Sequence, residues 1–180
     1  MKENEIHRFI QSAPDASLHA IREEIERELS SRAASPKGPM AAISGKILTH
    51  TDGASRGNPG KAGIGVVIFD EKGKVILEDC RFIGECTNNE AEYRALILAL
   101  ERAREITGDT VECYMDSELV VRQLSGRYAV KSENMAKFFQ QVRDLAGSFR
   151  HVSFHHVRRE HPRQQIADKL ANKGIDDARR

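Results

Sequence analysis

No stretch of the 180-residue chain approaches the ~20 consecutive apolar residues that a membrane-spanning helix requires, so no such helix is expected. The opening MKENEIHRF is polar and reads as no signal peptide. Cysteine is scarce. The three present, Cys80, Cys86 and Cys113, are odd in number and lack metal-site spacing. They read as reduced packing residues of a cytoplasmic protein rather than a disulfide framework or a zinc site. Internal repeats are absent, and residues 1 to about 33 contain no glycine.

What remains is the composition of a folded, soluble protein, with 39% hydrophobic and 31% charged residues. The net charge of +1 conceals an uneven distribution. Acids outnumber bases from Ile47 to Asp116, whereas 13 Lys/Arg face 7 Asp/Glu from Ser117 to Arg180. An acidic site beside a basic surface suits a polyanionic substrate, although an ordinary solvated surface has the same composition.

The glycine-free N-terminal segment reads as helix in two pieces, broken at Ser12-Ala13-Pro14-Asp15. Leu18, Ile21, Ile25 and Leu29 fall at helical spacing and form one apolar stripe. Such a stripe buries against the rest of the chain, a second copy or a partner. We therefore expect a helical appendage over residues 1–33, a Ser/Ala/Pro/Gly-rich linker over 34–45 and a folded domain over 46–180. A domain of roughly 130 residues is large enough to bury its own core.

Within that domain KILTHTD, GIGVVIFD and KVILEDCRFIG are β-rich runs, with Glu71-Lys72-Gly73-Lys74 as a hairpin loop. A long helix is expected from about Asn88 to Ile106, then strand TVECYMD, helices SELVVRQLSG and ENMAKFFQQVRDLAG, strand HVSFHHV and a last helix from Pro162. The order β-β-β-α-β-α-α-β-α predicts an α/β fold, a mixed five-stranded sheet flanked by helices.

Four acids sit in distinctive runs: Asp52 in TDGASRGNPG, Glu92 in TNNEAEYRAL, Asp116 in YMDSELV and Asp168 in IADKLAN. Asp52 is expected to end the first strand, where an Asp-Gly pair is also an ordinary turn former. On the long helix, Thr87 and Glu90 fit a capping box, and Glu90 shares its face with Arg94, Glu101 and Arg104. Glu92 instead lines up with Ala95, Leu96, Ala99 and Ala103, a face that packs inward. A carboxylate at the edge of a buried face needs a neutralising partner, and a metal ion is one. Asp116 closes the fourth strand, where open α/β sheets place ligands, or else it caps the next helix. Asp168 lies in the second turn of the last helix.

Together these motifs and the closing HPRQQIADKLANKG resemble the type 1 ribonuclease H family, over about Ile47 to Gly174. The resemblance implies the ribonuclease H-like fold, with Asp52, Glu92, Asp116 and Asp168 as catalytic carboxylates that ligate two Mg²⁺ ions, Mn²⁺ substituting. It implies hydrolysis of the RNA strand of RNA–DNA hybrids, leaving 5′-phosphate and 3′-hydroxyl ends. It also implies nucleic-acid contacts from Asn58, Thr87, Asn88 and Asn89. Asparagine can both donate to and accept from a ribose 2′-OH, the group that separates RNA from DNA. The same residues could simply cap the helix, and both roles are compatible.

Three departures from the family pattern stand out. Where many relatives carry a mobile histidine, this chain has Arg158-Arg159-Glu160-His161, with Arg158 at the aligned position and His161 poised to cap the last helix. The lysine- and tryptophan-rich protrusion of some relatives is missing, and the chain has no tryptophan. The N-terminal segment does not resemble the small hybrid-binding domain of others, and its EEIERE run would repel phosphate. It reads as a self-association or docking helix. The alternatives are a broader nuclease acting also on double-stranded RNA or RNA–DNA junctions, and a catalytically silent hybrid binder. A pure binder gains nothing from four mutually repelling acids beside a phosphate.

Overall fold

The structure is a computed structural model that describes residues 45–178. The helical appendage expected over 1–33, and the linker apart from Gly45, lie outside the described residues. Strands β1 (Lys46–Gly57), β2 (Gly60–Asp70) and β3 (Val75–Cys86) lead into helix α1 (Asn88–Ile106). Strand β4 (Thr110–Met115), helices α2 (Glu118–Leu124) and α3 (Glu133–Ala146), strand β5 (His151–His156) and helix α4 (Pro162–Asp177) follow. The expected element order is the observed one. The sheet runs β3-β2-β1-β4-β5, antiparallel through the first three strands and parallel from β1 to β4 to β5. No described helix is long and apolar enough to cross a membrane.

Strand β1 corrects one expectation. Asp52 does not end it: the ladder with β2 continues from Ile47↔Asp70 through Asp52↔Gly65 to Gly57↔Gly60. The turn-like run DGASRG is held extended because every residue of it has a partner on β2, which overrides local propensity. The turn reading of Asp52 falls with it. The second hairpin closes as expected, with Gly73 at φ 84° and Asp70 accepting from the backbone of Lys74 at 2.8 Å.

Helix α1 starts on a complete capping box, Thr87 Oγ1 accepting from Glu90 N and Glu90 Oε2 accepting from Thr87 N. Ala95, Leu96, Ala99 and Ala103 are fully buried, as their spacing predicts. Burial extends beyond that stripe to Ile97, Leu98 and Leu100, because α1 is packed both on the sheet and against α3.

Helices α1 and α4 cover opposite faces of the sheet, and two glycines set how closely they approach. A Cβ on Gly53 would lie 2.3 Å from the backbone of Ala91 and Glu92, so the first turns of α1 rest directly on β1. A Cβ on Gly65 would lie 2.2 Å from Ala167 O, so α4 rests directly on β2. On the α4 side Val67, Phe69 and Ala167 form a core joined by Leu48, Ile166 and Leu170. Because Gly65 meets backbone rather than a movable side-chain end, Gly65→Ala must push α4 outward. We expect a loss of at least 1–3 kcal/mol, a rough overpacking cost, in urea unfolding. A change within about 0.5 kcal/mol, the scatter typical of surface substitutions, would show that α4 yields freely at this point.

Candidate active site

The parallel pairing of β1 and β4 places the first two acids together. Met115, the last residue of β4, is in register with Thr51, so Asp116 emerges level with Asp52. Asp52 has no exposed surface, since the strand carrying it continues to pair with β2 past the end of β4. Glu92 arrives from α1, brought down onto β1 by the missing side chain of Gly53, and is 6% exposed. Ligand oxygens from Asp52, Glu92 and Asp116 all lie within 4.8 Å of one another. Asp168 comes from α4, which crosses β2 at Gly65, the residue paired with Asp52. It is joined to the group through Arg159, whose Nη2 is 3.0 Å from Asp168 Oδ1 while its Nε is 3.5 Å from Asp116 Oδ2.

Both Asp52 oxygens and Glu92 Oε2 are buried without a hydrogen-bond partner. Burial, followed by the charges of Asp116 and Asp168, pushes the Asp52 carboxyl up to about 8. Burial and the charges of Asp52 and Asp116 likewise hold Glu92 well above the carboxylate range, opposed by a hydrogen bond from the Gly53 backbone. Burying acids together without donors is destabilising unless something neutralises them. The unsatisfied atoms are all hard oxygens, the donor set that Mg²⁺ and Mn²⁺ prefer, so the residues present fit a divalent cation.

The expected nucleic-acid contacts lie at the start of α1 and in the β1–β2 turn. Asn58 is exposed, and its Oδ1 accepts from Asn88 N at 3.2 Å, linking the turn to the helix. Asn88 and Asn89 are exposed; Thr87 is half-buried and serves as N-cap. Glu90 is set apart from the acidic group by its capping bonds and its acceptance of a hydrogen bond from Asn134. The backbone of Thr87 is the main reason its carboxyl lies below the usual range.

At the far side of the site His161 accepts from Arg163 N as the cap of α4, and its ring stacks on His50 at 5.3 Å. His50 is held in turn by Gln164, which also donates to Thr51 O at 2.7 Å beside Asp52. Burial lowers the His50 pKa to about 4. Sequence reasoning missed Arg159, Gln164 and Gly65, and took Gly53 for a turn residue, whereas it lies in a strand against the backbone of α1. Arg159 stood between the two residues weighed there, Arg158 and His161, but reach across a loop cannot be read from order.

The sequence matches the "Reverse transcriptase-like" family over residues 50–174. It is 40% identical over 134 residues to the ribonuclease HI of Halobacterium salinarum, covering 74% of this chain and 66% of that protein. The chain belongs to the type 1 ribonuclease H family. This ribonuclease H fold superposes on the RNase H1 crystal structure from the same archaeon with a TM-score of 0.71, covering 74% of this chain and 99% of that one. With LC11-RNase H1, solved in complex with RNA/DNA hybrid, the TM-score is 0.69 at 44% identity, covering 74% and 99% of the two chains. A bifunctional protein of Mycobacterium tuberculosis is 42% identical over 134 residues, or 74% of this chain, but the match spans only 36% of that longer protein.

Two predictions follow from this geometry. Glu92→Gln should abolish nuclease turnover, whereas Glu90→Gln should keep most of it and lose about 1 kcal/mol of capping stability. Parallel cleavage assays and thermal melts separate the two; a dead E90Q with an active E92Q would reverse the assignment. The second concerns pH. Folded Asp52 keeps a proton that the unfolded chain releases above its ordinary value of 3.8. The associated stability is complete below that value and is lost as pH rises to about 8. Between pH 7 and 8, where His50 of the unfolded chain, ordinarily at 6.5, has lost most of its proton, the metal-free protein should lose on the order of 1 kcal/mol. Asp52→Asn should lessen that slope, leaving the part due to burial of Glu92, and Mn²⁺ at pH 8 should raise the melting temperature of the wild type. A pH-independent melt in chelator would contradict the burial argument.

Proposed function

We propose that this chain hydrolyses the RNA strand of RNA–DNA hybrids, leaving 5′-phosphate and 3′-hydroxyl ends. One observation carries the reading: buried carboxylate oxygens of Asp52 and Glu92 without hydrogen bonds, within 4.8 Å of a ligand oxygen of Asp116. Family membership supports it, as does the hybrid held by the similar LC11-RNase H1.

Asp52, Glu92, Asp116 and Asp168 would hold two Mg²⁺ ions, with Mn²⁺ as a substitute. When bound, such a pair supplies Lewis acidity to the phosphodiester and raises the acidity of the attacking water. The chain's own part is positioning. Strand β1 and the end of β4 hold Asp52 and Asp116 at a fixed spacing, and the close packing of α1 on Gly53 sets the depth of Glu92. Asp168, on the far helix, keeps half-exposed contact with solvent, which suits a ligand that must admit and release product. Asn58, Asn88 and Asn89 present exposed amides beside Thr87 at a helix N-terminus. That position favours phosphate through the positive end of the helix dipole and can read a 2′-OH through the side chains.

We assign residues 46–180 to catalysis and residues 1–33 to self-association or protein docking. The second assignment is supported by the Leu18, Ile21, Ile25 and Leu29 periodicity. The reduced cysteine pattern supports a cytoplasmic setting.

The test is cleavage of labelled hybrid, duplex RNA and duplex DNA, each with Mg²⁺, Mn²⁺ or chelator. Wild type should cut the hybrid in either metal and nothing in chelator. Asp116→Asn should lower the rate by roughly 10³-fold or more while melting normally, as expected when an electrostatic centre of the reaction is removed. Equal cutting of duplex DNA, or undiminished activity in chelator, would overturn the assignment.

A further inference from the structure

Arg159 is placed unlike any other cation among the described residues. It lies between β5 and α4 on a segment whose backbone is pinned at both ends: Val157 N donates to Met115 O at 2.9 Å, and His161 N donates to Arg158 O at 3.0 Å. The guanidinium spans two of the four acids, Asp116 at 3.5 Å and Asp168 at 3.0 Å. It is thus the counter-charge at the Asp116–Asp168 edge of the acidic group.

Two properties make this contact temporary. The side chain is 63% exposed, so its ion pairs are screened by water and weak compared with divalent coordination. It also borders an open cleft of about 440 Å³ lined with Glu160, Gln165, Asp168 and Lys169. A carboxylate oxygen engaged by the guanidinium fork has fewer lone pairs free for a metal, and the positive charge repels an arriving cation.

We infer that Arg159 is a tethered cation that holds the Asp116–Asp168 edge of the site in the metal-free protein and must be displaced for a divalent ion to load there. This deepens the proposed function and rests on it for the identity of the ligands. The swap means that Asp116 and Asp168 are opposed by a positive charge whether or not a metal ion is bound. Loading also frees a guanidinium in the cleft beside Lys169, where an anionic backbone can meet it. Arg159 is a positioning residue in this role. It acts on the carboxylates, and Lys cannot fully replace it because an ammonium lacks the fork that spans two partners.

The experiment is Mn²⁺ titration of the full chain without nucleic acid, read by calorimetry or by the loss of free-Mn²⁺ paramagnetic resonance, with melts in chelator and in Mn²⁺. Wild type, Arg159→Gln, Arg159→Lys and Asp116→Asn are compared. Arg159→Gln should bind Mn²⁺ roughly three- to tenfold more tightly, the scale of losing two exposed ion pairs. It should also melt lower than wild type in chelator and gain more from Mn²⁺. Arg159→Lys should fall between the two. Equal or weaker Mn²⁺ binding by Arg159→Gln, with Asp116→Asn losing the signal, would overturn the swap and leave the nuclease reading intact. If Asp116→Asn binds Mn²⁺ like wild type, the acids are not the metal site and the proposed function fails first.

Discussion

Both oxygens of Asp52 are enclosed without a hydrogen-bond donor, and the side chain is surrounded by other acids. A fold can carry such a group only if the surrounding structure over-determines its position, because every local relaxation would move it toward water. The central strand does this. Paired on one side with β2 along its whole length and on the other with β4 as far as Thr51, it cannot bend outward at Asp52. The cost is part of the chemistry, since a site already satisfied by protein donors would have little affinity for a cation.

The same constraint accounts for features remote from the acids. Gly53 and Gly65 weaken a strand by propensity, yet each stands where a helix backbone touches the sheet. One lowers α1 so that Glu92 reaches Asp52; the other lowers α4 beneath Asp168. Gln164 reinforces this arrangement, bridging His50 and the Thr51 carbonyl from within α4. Arg159 supplies the missing positive charge from a loop that can give it up. The rigid elements carry the acids, and the exposed side chain carries the adjustable charge.

Much of the architecture was legible in the sequence because its signals are local. The capping residues Thr87 and Glu90, the inward spacing of Ala95, Leu96, Ala99 and Ala103, and the Asp70–Lys74 hairpin follow from rules spanning a few positions. Helix periodicity also separated Glu90 from Glu92, and the structure places them accordingly: one tied into a cap, the other buried beside Asp52 and Asp116. The extent of β1 was misread because DGASRG has the composition of a turn. Strand pairing with β2, from Asp52↔Gly65 to Gly57↔Gly60, extends it. Arg159 was passed over because an arginine in a polar loop has no sequence mark of its own.

By itself, then, the amino-acid sequence determined the order of elements, the inward face of α1 and four acids set in motifs of one family. Those properties depend on residue type and short spacing, which a chain carries with it before it folds. Tertiary structure alone decided that Asp52 would be wholly enclosed and that Asp116 would stand level with it. It also decided that Arg159 would span Asp116 and Asp168. Each of these depends on strand register or on the distance between a helix and a sheet, quantities that exist only once remote segments have packed.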